Sequence, residues 1–345
     1  MKKKTTRIIA ITLCIVIVMG LGVALIVPKK GEKAKSEELP VIPEGNPPMI
    51  ELEGDTINYD EYYFNALGFK SGYVSTYGPE VFNTYPDLSE KVLLEIDEML
   101  IQNKAIAKWA KEVGYDLDGM SLSELEVSFE AVKSQFESDE AFYDYLSRNG
   151  VDEDKYKSIM RENMLVNRFI EYISVSGNVE ATTVTEEEID KKIVDDDLLS
   201  AKHILISRET GSEDDRAIAE EILEKIKAGE DFDELMYENT DDPGIERFPN
   251  GYVFAPGEFV SEFEEATRSL EVGEVSDIIE SDYGFFIIKR IEMDRNQVRD
   301  RIIMNKLISE ISSRVDKLNA NLTQIRLEFD MDSVILDISD EKVIV

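Results

Sequence analysis

Apolar residues recur at steps of three and four along most of this 345-residue chain, but a stretch of about ninety residues, 200–291, breaks that rhythm. Inside it the run Ala201-Lys202-His203-Ile204-Leu205-Ile206, closed by Ser207 and Arg208, has the length and composition of a strand. Segments 274–280 and 285–291 are rich in β-branched and aromatic residues, and Ser281-Asp282-Tyr283-Gly284 between them is a turn signal, so they predict a hairpin. Helical patterns lie between strand and hairpin, at 213–228, where Ile218, Ile222 and Ile226 precede the stop residue Gly229, and at 260–270. A shorter helical turn covers 230–235. Strand, helices and antiparallel pair in this order predict an α+β domain with one face of its sheet covered by helices.

Outside that stretch the pattern is helical. Residues 49–57 read as a short strand and turn, and from Asp60 the period lengthens. Ser89 caps a predicted helix to Val113 whose apolar face carries Val92, Ile96, Met99, Ile106 and Trp109, with Gly114 as its stop. Helices at 121–136, 138–148 and 152–173 follow, and Thr185 with Glu188 forms a capping box. After the hairpin, 295–325 predicts one long helix with a narrow apolar stripe that must be buried somewhere. The preceding helices are the expected surface, which makes the α+β segment an insertion in a discontinuous helical unit.

The N-terminus has a different pattern. Lys2, Lys3, Lys4 and Arg7 precede Ile8–Val27, twenty residues without a charge and long enough to cross the roughly 30 Å hydrocarbon core as a helix. Residues 1–7 are then expected in the cytoplasm, 8–27 as a membrane anchor, and 28–48, with five prolines, as an extended tether holding the folded part outside the membrane. Two readings compete. A cleaved signal peptide normally has an apolar core of about 7–15 residues and a small-residue cleavage site, and none follows here. Lipidation at Cys14 meets Leu13 where a small residue is needed.

A net charge of −35 repels nucleic-acid phosphates, so no nucleic-acid partner is expected; solubility is its simplest purpose, attraction of basic polypeptides the alternative. With one cysteine no disulfide forms within the chain, and no metal or cofactor motif is present. Asp116-Leu117-Asp118-Gly119 fails as a calcium loop, and one histidine leaves a Ser-His-Asp site unsupported.

Four separate segments, SAKHIL, AGEDFDEL, DDPG and GEFVSEFEEATRSLEVGEVSDIIESDYGFFIIKR, resemble in order and spacing the parvulin-type peptidyl-prolyl isomerases. That resemblance implies a four-stranded antiparallel sheet with helices over 198–293. It also implies a SurA-N/PrsA-like, mostly helical chaperone domain from 49–197 and 294–345, since the whole is similar to extracytoplasmic foldases of the PrsA and SurA kind. The reaction it implies needs no cofactor. Rotation about a peptide bond faces a barrier of ~18–20 kcal/mol, and an X-Pro bond needs only a dry pocket that favours the twisted amide.

On the family's motif His203 and Asp242 match catalytic positions, and Phe259 and Phe263 match the proline pocket. Tyr252 or Phe254 supplies its wall, and Tyr283 and Phe286 fall at further substrate-binding positions. Two departures stand out. The second histidine of relatives is Phe286 here, and their GGDLG segment is reduced to Pro249-Asn250-Gly251-Tyr252. Plainer readings stand beside these: His203 as a core residue, Asp242 as a turn former before Pro243, and the phenylalanines as ordinary core.

The function implied is a membrane-tethered, single-pass isomerase and foldase on the outer face of the cell membrane. Its expected partners are unfolded secreted polypeptides containing X-Pro bonds, the membrane through the N-terminal helix, and a second copy of the chain. The alternatives are a catalytically weak or inactive holdase, favoured by Phe286, and a structural or adhesive surface protein.

Overall fold

The computed structural model describes residues 43–208 and 215–336. They begin with β1 (Pro48–Leu52), β2 (Asp55–Asn58), α1 (Tyr59–Tyr77), α2 (Val81–Thr84), α3 (Leu88–Glu112), α4 (Gly119–Lys133), α5 (Asp139–Arg148) and α6 (Glu153–Ile173). Next come α7 (Glu186–Asp195), β3 (Leu199–Ser207), α8 (Asp215–Lys227), α9 (Phe232–Asn239), β4 (Tyr252–Phe254) and α10 (Ser261–Ser269). The chain closes with β5 (Ile279–Ser281), β6 (Gly284–Arg290), α11 (Arg295–Lys317), β7 (Asn321–Leu322) and α12 (Gln324–Glu328). They separate into two compact units, one within Met1–Ala181 and Leu307–Val345, the other Thr182–Lys306. Segments 1–7 and 8–27 and most of 28–48 lie outside the described residues; no described helix is long and apolar enough to cross a membrane.

In the first unit β1 pairs antiparallel with β2, and on its other edge with β7, Ile50 opposite Leu322. Met49, Ile50 and Ile57 of this short sheet join a core shared with Tyr62, Tyr63, Val92 and Ile96; adjacent Met49 and Ile50 are both buried, so β1 is covered on both faces there. The predicted cap Ser89 is not one: α3 begins a residue earlier, at Leu88, so Ser89 lies inside the helix, and Asp87 precedes it without a side-chain cap bond. Caps do form at the next helices, where Ser138 accepts from the Ala141 N–H and Asp152 from the Lys155 N–H.

The expected helix over 295–325 is shorter. α11 stops at Lys317, Asn319 turns into the left-handed region at φ 48°, and the chain goes on as β7 and α12. The stop lets Phe329, Met331 and Val334 enter the core. Lys70 Nζ donates to the carbonyls of Met331 and Val334, 2.5 and 2.8 Å away. Arg326 reaches Asp97 through two bonds of 2.7 and 2.6 Å, and the Tyr62 hydroxyl donates to the same carboxylate at 2.8 Å.

In the second unit the four strands are antiparallel in the order β4-β3-β6-β5. Both faces are covered, not one. Ile204, Ile206, Phe285 and Ile287 pack with Ala219 and Ile222 of α8 and Phe232, Leu235 and Met236 of α9. On the other face Leu199, Ala201, Phe286 and Ile288 meet Phe254 and Phe263. A strand buried on both faces reads as a near-continuous apolar run, as Ile204-Leu205-Ile206 does, and it was Lys202 within β3 that gave the impression of an open face.

The first arm of the predicted hairpin is also corrected. Only Ile279–Ser281 is strand, while Val275 makes an isolated bridge to Lys289. The ladder breaks because the Ser276 hydroxyl accepts from the Ile288 N–H in place of a backbone carbonyl. Gly284 closes the turn at φ 144°, where a Cβ would stand 2.1 Å from the Ile206 carbonyl oxygen. α7 carries the predicted capping box, and Val298 and Ile302 of α11 bury against Ile189, Leu198 and Val253.

Candidate active site

β3 has two kinds of neighbour along one edge. β4 pairs with Leu199–Ala201; farther along, Thr240 and Asp241 replace a strand. The Leu205 N–H donates to Thr240 Oγ1 at 3.1 Å, the Ser207 N–H to Asp241 Oδ2 at 2.8 Å, and the Asp241 N–H to the Leu205 carbonyl at 2.8 Å. Between these two partners β3 carries His203, whose side chain is only 4% exposed.

Asp242 follows directly from that substitute strand, so the backbone bonds to β3 place its carboxylate. Oδ1 accepts from the Gly244 N–H at 2.9 Å, the turn geometry expected of Asp before Pro-Gly. Oδ2 accepts from the Tyr252 hydroxyl at 2.5 Å and faces His203 Nε2 at 3.4 Å. Gly244 leaves room for that hydroxyl: a Cβ there would lie 2.2 Å from the Tyr252 hydroxyl oxygen.

Aromatic rings enclose the imidazole. Centroids of Tyr252, Phe259, Phe263 and Phe286 lie 5.5, 6.2, 5.2 and 5.5 Å from it. Phe259 and Phe263 stack at 4.6 Å, and Phe254 stands 4.8 Å from Phe259. Phe263 is fully buried on α10, while Phe259, just before that helix, is half-buried. Glu264 holds the approach to α10, accepting from the N–H groups of Gly257 and Phe259 at 2.8 and 3.0 Å.

Seven of the eight residues singled out by sequence meet here: His203, Asp242, Tyr252, Phe254, Phe259, Phe263 and Phe286. Tyr283 does not; it sits in the β5–β6 turn, 66% exposed. Residues missed by sequence are Thr240, Gly244, Phe248, whose ring lies tilted 4.9 Å from Tyr252, and Gln297. Gln297 Oε1 accepts from the Val253 N–H at 3.1 Å and its amide donates to the Gly251 carbonyl at 2.9 Å. The Asp-Asp-Pro-Gly turn signalled Gly244; nothing in the sequence signalled a glutamine about forty residues beyond β4.

Burial lowers the His203 pKa to about 4, with the Asp242 carboxylate opposing that shift. The imidazole is therefore neutral near pH 7. Tyr252 is raised by burial and by its bond to the Asp242 carboxylate, so it stays a donor. No group of residues able to hold a metal ion is present among the described residues. A neutral imidazole, a phenol and one carboxylate in an aromatic wall suit non-covalent work on an apolar ring beside an amide.

Residues 186–294 match the PPIC-type PPIase domain family model. The foldase protein PrsA of Geobacillus kaustophilus is 32% identical over 248 residues, covering 68% of this chain and 78% of that one. PrsA of Halalkalibacterium halodurans is 32% identical, covering 58% of each chain, and that of a Geobacillus strain 36% identical, covering 35% of this chain and 45% of that one. The chain thus spans about half the length of these last two relatives. The crystal structure of PrsA from Bacillus subtilis is 19% identical, with a TM-score of 0.36 over 86% of this chain and 96% of that one, and adds nothing to the assignment. The second unit is a peptidyl-prolyl cis-trans isomerase domain. The chain belongs to the PrsA foldase family.

Proposed function

We propose that the protein is an extracytoplasmic foldase, anchored through 8–27 and spaced from the membrane by 28–48, that isomerises X-Pro bonds in secreted polypeptides. The observation that carries this reading is the ring of aromatic side chains around His203, with the Asp242 carboxylate and Tyr252 hydroxyl at its edge.

In this reading the proline ring enters beside half-buried Phe259 and lies against it, while the buried rings of Phe263 and Phe254 back Phe259 and exclude water. Twisting the amide removes its conjugation and localises a lone pair on nitrogen. A dry wall penalises the polar planar amide more than the twisted one, and a positioned donor near the nitrogen lowers the barrier further. His203 and Asp242 are the polar groups proposed to act there, and Tyr283 keeps a role only with substrate that extends beyond the aromatic wall. No bond is made or broken, so no cofactor enters.

The helical parts, 49–197 and 294–345, are proposed to hold unfolded clients, and association into a homodimer belongs to the same proposal. The acid surface favours clients with basic segments. Refolding of a protein limited by proline isomerisation tests the reading: the full chain should accelerate the slow phase at substoichiometric amounts. Suppression of aggregation without that acceleration would instead support a holdase, the reading favoured by Phe286 where relatives carry a second histidine.

A further inference from the structure

We infer that Tyr252 is a positioning residue that fixes where His203 keeps its single proton, acting through Asp242. The inference rests on the isomerase reading for its catalytic consequence, but its structural core stands on the geometry alone.

A neutral imidazole has one N–H and one bare nitrogen, and its surroundings decide which is which. His203 Nε2 faces Asp242 Oδ2 at 3.4 Å, and Nδ1 is buried without a hydrogen-bond partner. A bare Nε2 would set a lone pair against a carboxylate oxygen. An N–H there turns the same contact attractive. The carboxylate therefore selects the tautomer with the proton on Nε2.

The selection works only if Oδ2 stays where it is. Oδ1 is tied to the Gly244 N–H, but rotation about the carboxyl axis is stopped by the Tyr252 hydroxyl, 2.5 Å from Oδ2. Tyr252 is itself held between the tilted ring of Phe248 and the edge-on ring of Phe259, 4.9 and 5.6 Å away, and β4 fixes its backbone against Ala201. A phenol held on a strand pins a carboxylate in a loop, and the carboxylate orients the imidazole. The 3.4 Å separation is longer than an ordinary N–H···O bond, so the arrangement is easily lost when the hydroxyl moves.

His203 is the sole histidine of the chain, which makes the tautomer directly readable by nitrogen NMR on full-length protein labelled with 15N-histidine. At pH 7 the wild type should show a protonated Nε2 and a bare Nδ1. Tyr252→Phe keeps the packed ring and removes the hydroxyl; the two nitrogen signals should then move toward the average expected for exchanging tautomers. With a short Ala-Pro peptide, kcat should fall about tenfold, the scale of one hydrogen bond to a charged group, with KM within about twofold of wild type. Gly244→Ala, whose methyl group displaces the hydroxyl without deleting it, should change the nitrogen signals in the same direction.

A Tyr252→Phe protein with the wild-type nitrogen signals overturns the inference, as does a wild type whose proton sits on Nδ1. A wild type that shows the expected tautomer yet does not accelerate the peptide refutes the isomerase reading while leaving the positioning role supported.

Discussion

The ring of Phe286 stands edge-on to the imidazole of His203, their centroids 5.5 Å apart and their planes at 66°. It also meets Phe263 at 5.4 Å, so one side chain of β6 closes the back of the site. Such contacts contribute about 0.5–1.5 kcal/mol each beyond burial, and removing a buried phenylalanine leaves a cavity as well. Phe286→Ala should therefore lower stability by about 3–5 kcal/mol, read by urea denaturation of the full chain. A loss under about 1 kcal/mol would show that this wall carries little of the domain's packing.

Acidification should expose the buried histidine. The folded-state pKa of about 4 lies below the ordinary 6.5, so the unfolded chain takes up a proton that the native one refuses as pH falls through this window. The His203 contribution is then complete above pH 6.5 and is lost progressively toward pH 4. The titratable groups that face the ring are Asp242 and Tyr252. Comparing wild type with His203→Gln by thermal unfolding at pH 7 and pH 5 isolates this effect from the many carboxylates. The variant should lose less stability between the two; parallel losses would contradict a histidine buried neutral.

In the first unit a buried ion pair ties the C-terminal segment to α3. Asp97 and Arg326 are 4% and 6% exposed, and Tyr62 completes the carboxylate's bonds. Burial raises the Asp97 pKa while Arg326 and Tyr62 oppose it. Removing one partner leaves a buried charge unpaired, so Arg326→Met should cost about 3–5 kcal/mol by chemical denaturation. Adding Asp97→Leu should recover most of that loss. A double variant no better than the single would mean that the segment is held by Phe329 and Met331 instead.

Much of the second unit was legible because its elements carry local signals. Thr185 with Glu188, Gly229 and the Asp-Asp-Pro-Gly turn each mark a boundary that the structure keeps, and His203 stands out as the sole histidine. What escaped is non-local or short. β4 is three residues long, too few for alternation to register. Tyr252 read as a wall residue because its hydroxyl bond to Asp242 depends on the path of the loop between them. The end of α11 was hidden because Val315, Leu318, Leu322 and Ile325 keep helical spacing across a segment where Asn319 leaves the helix and β7 pairs with β1. Tyr283 followed from motif position, and the turn that holds it points the ring to solvent.

Asp242→Asn tests the carboxylate itself. It keeps the shape and one acceptor for Tyr252 but loses the charge that faces Nε2. kcat/KM on an X-Pro peptide should fall about ten- to a hundredfold with the unfolding midpoint little changed, as for a lost charged hydrogen-bond partner. Full activity would reduce Asp242 to a turn former.

The central claim is that a proline ring is gripped by the aromatic wall beside His203, and one measurement addresses it most directly. Exchange NMR on an Ala-Pro peptide gives the cis-trans interconversion rate with the full chain and with Phe259→Ala, which removes the half-buried ring at the entrance. The wild type should raise the rate at substoichiometric concentration and Phe259→Ala should lose at least about tenfold in kcat/KM while unfolding cooperatively as the wild type does. An unchanged rate in Phe259→Ala, or no acceleration by the wild type, would contradict the account.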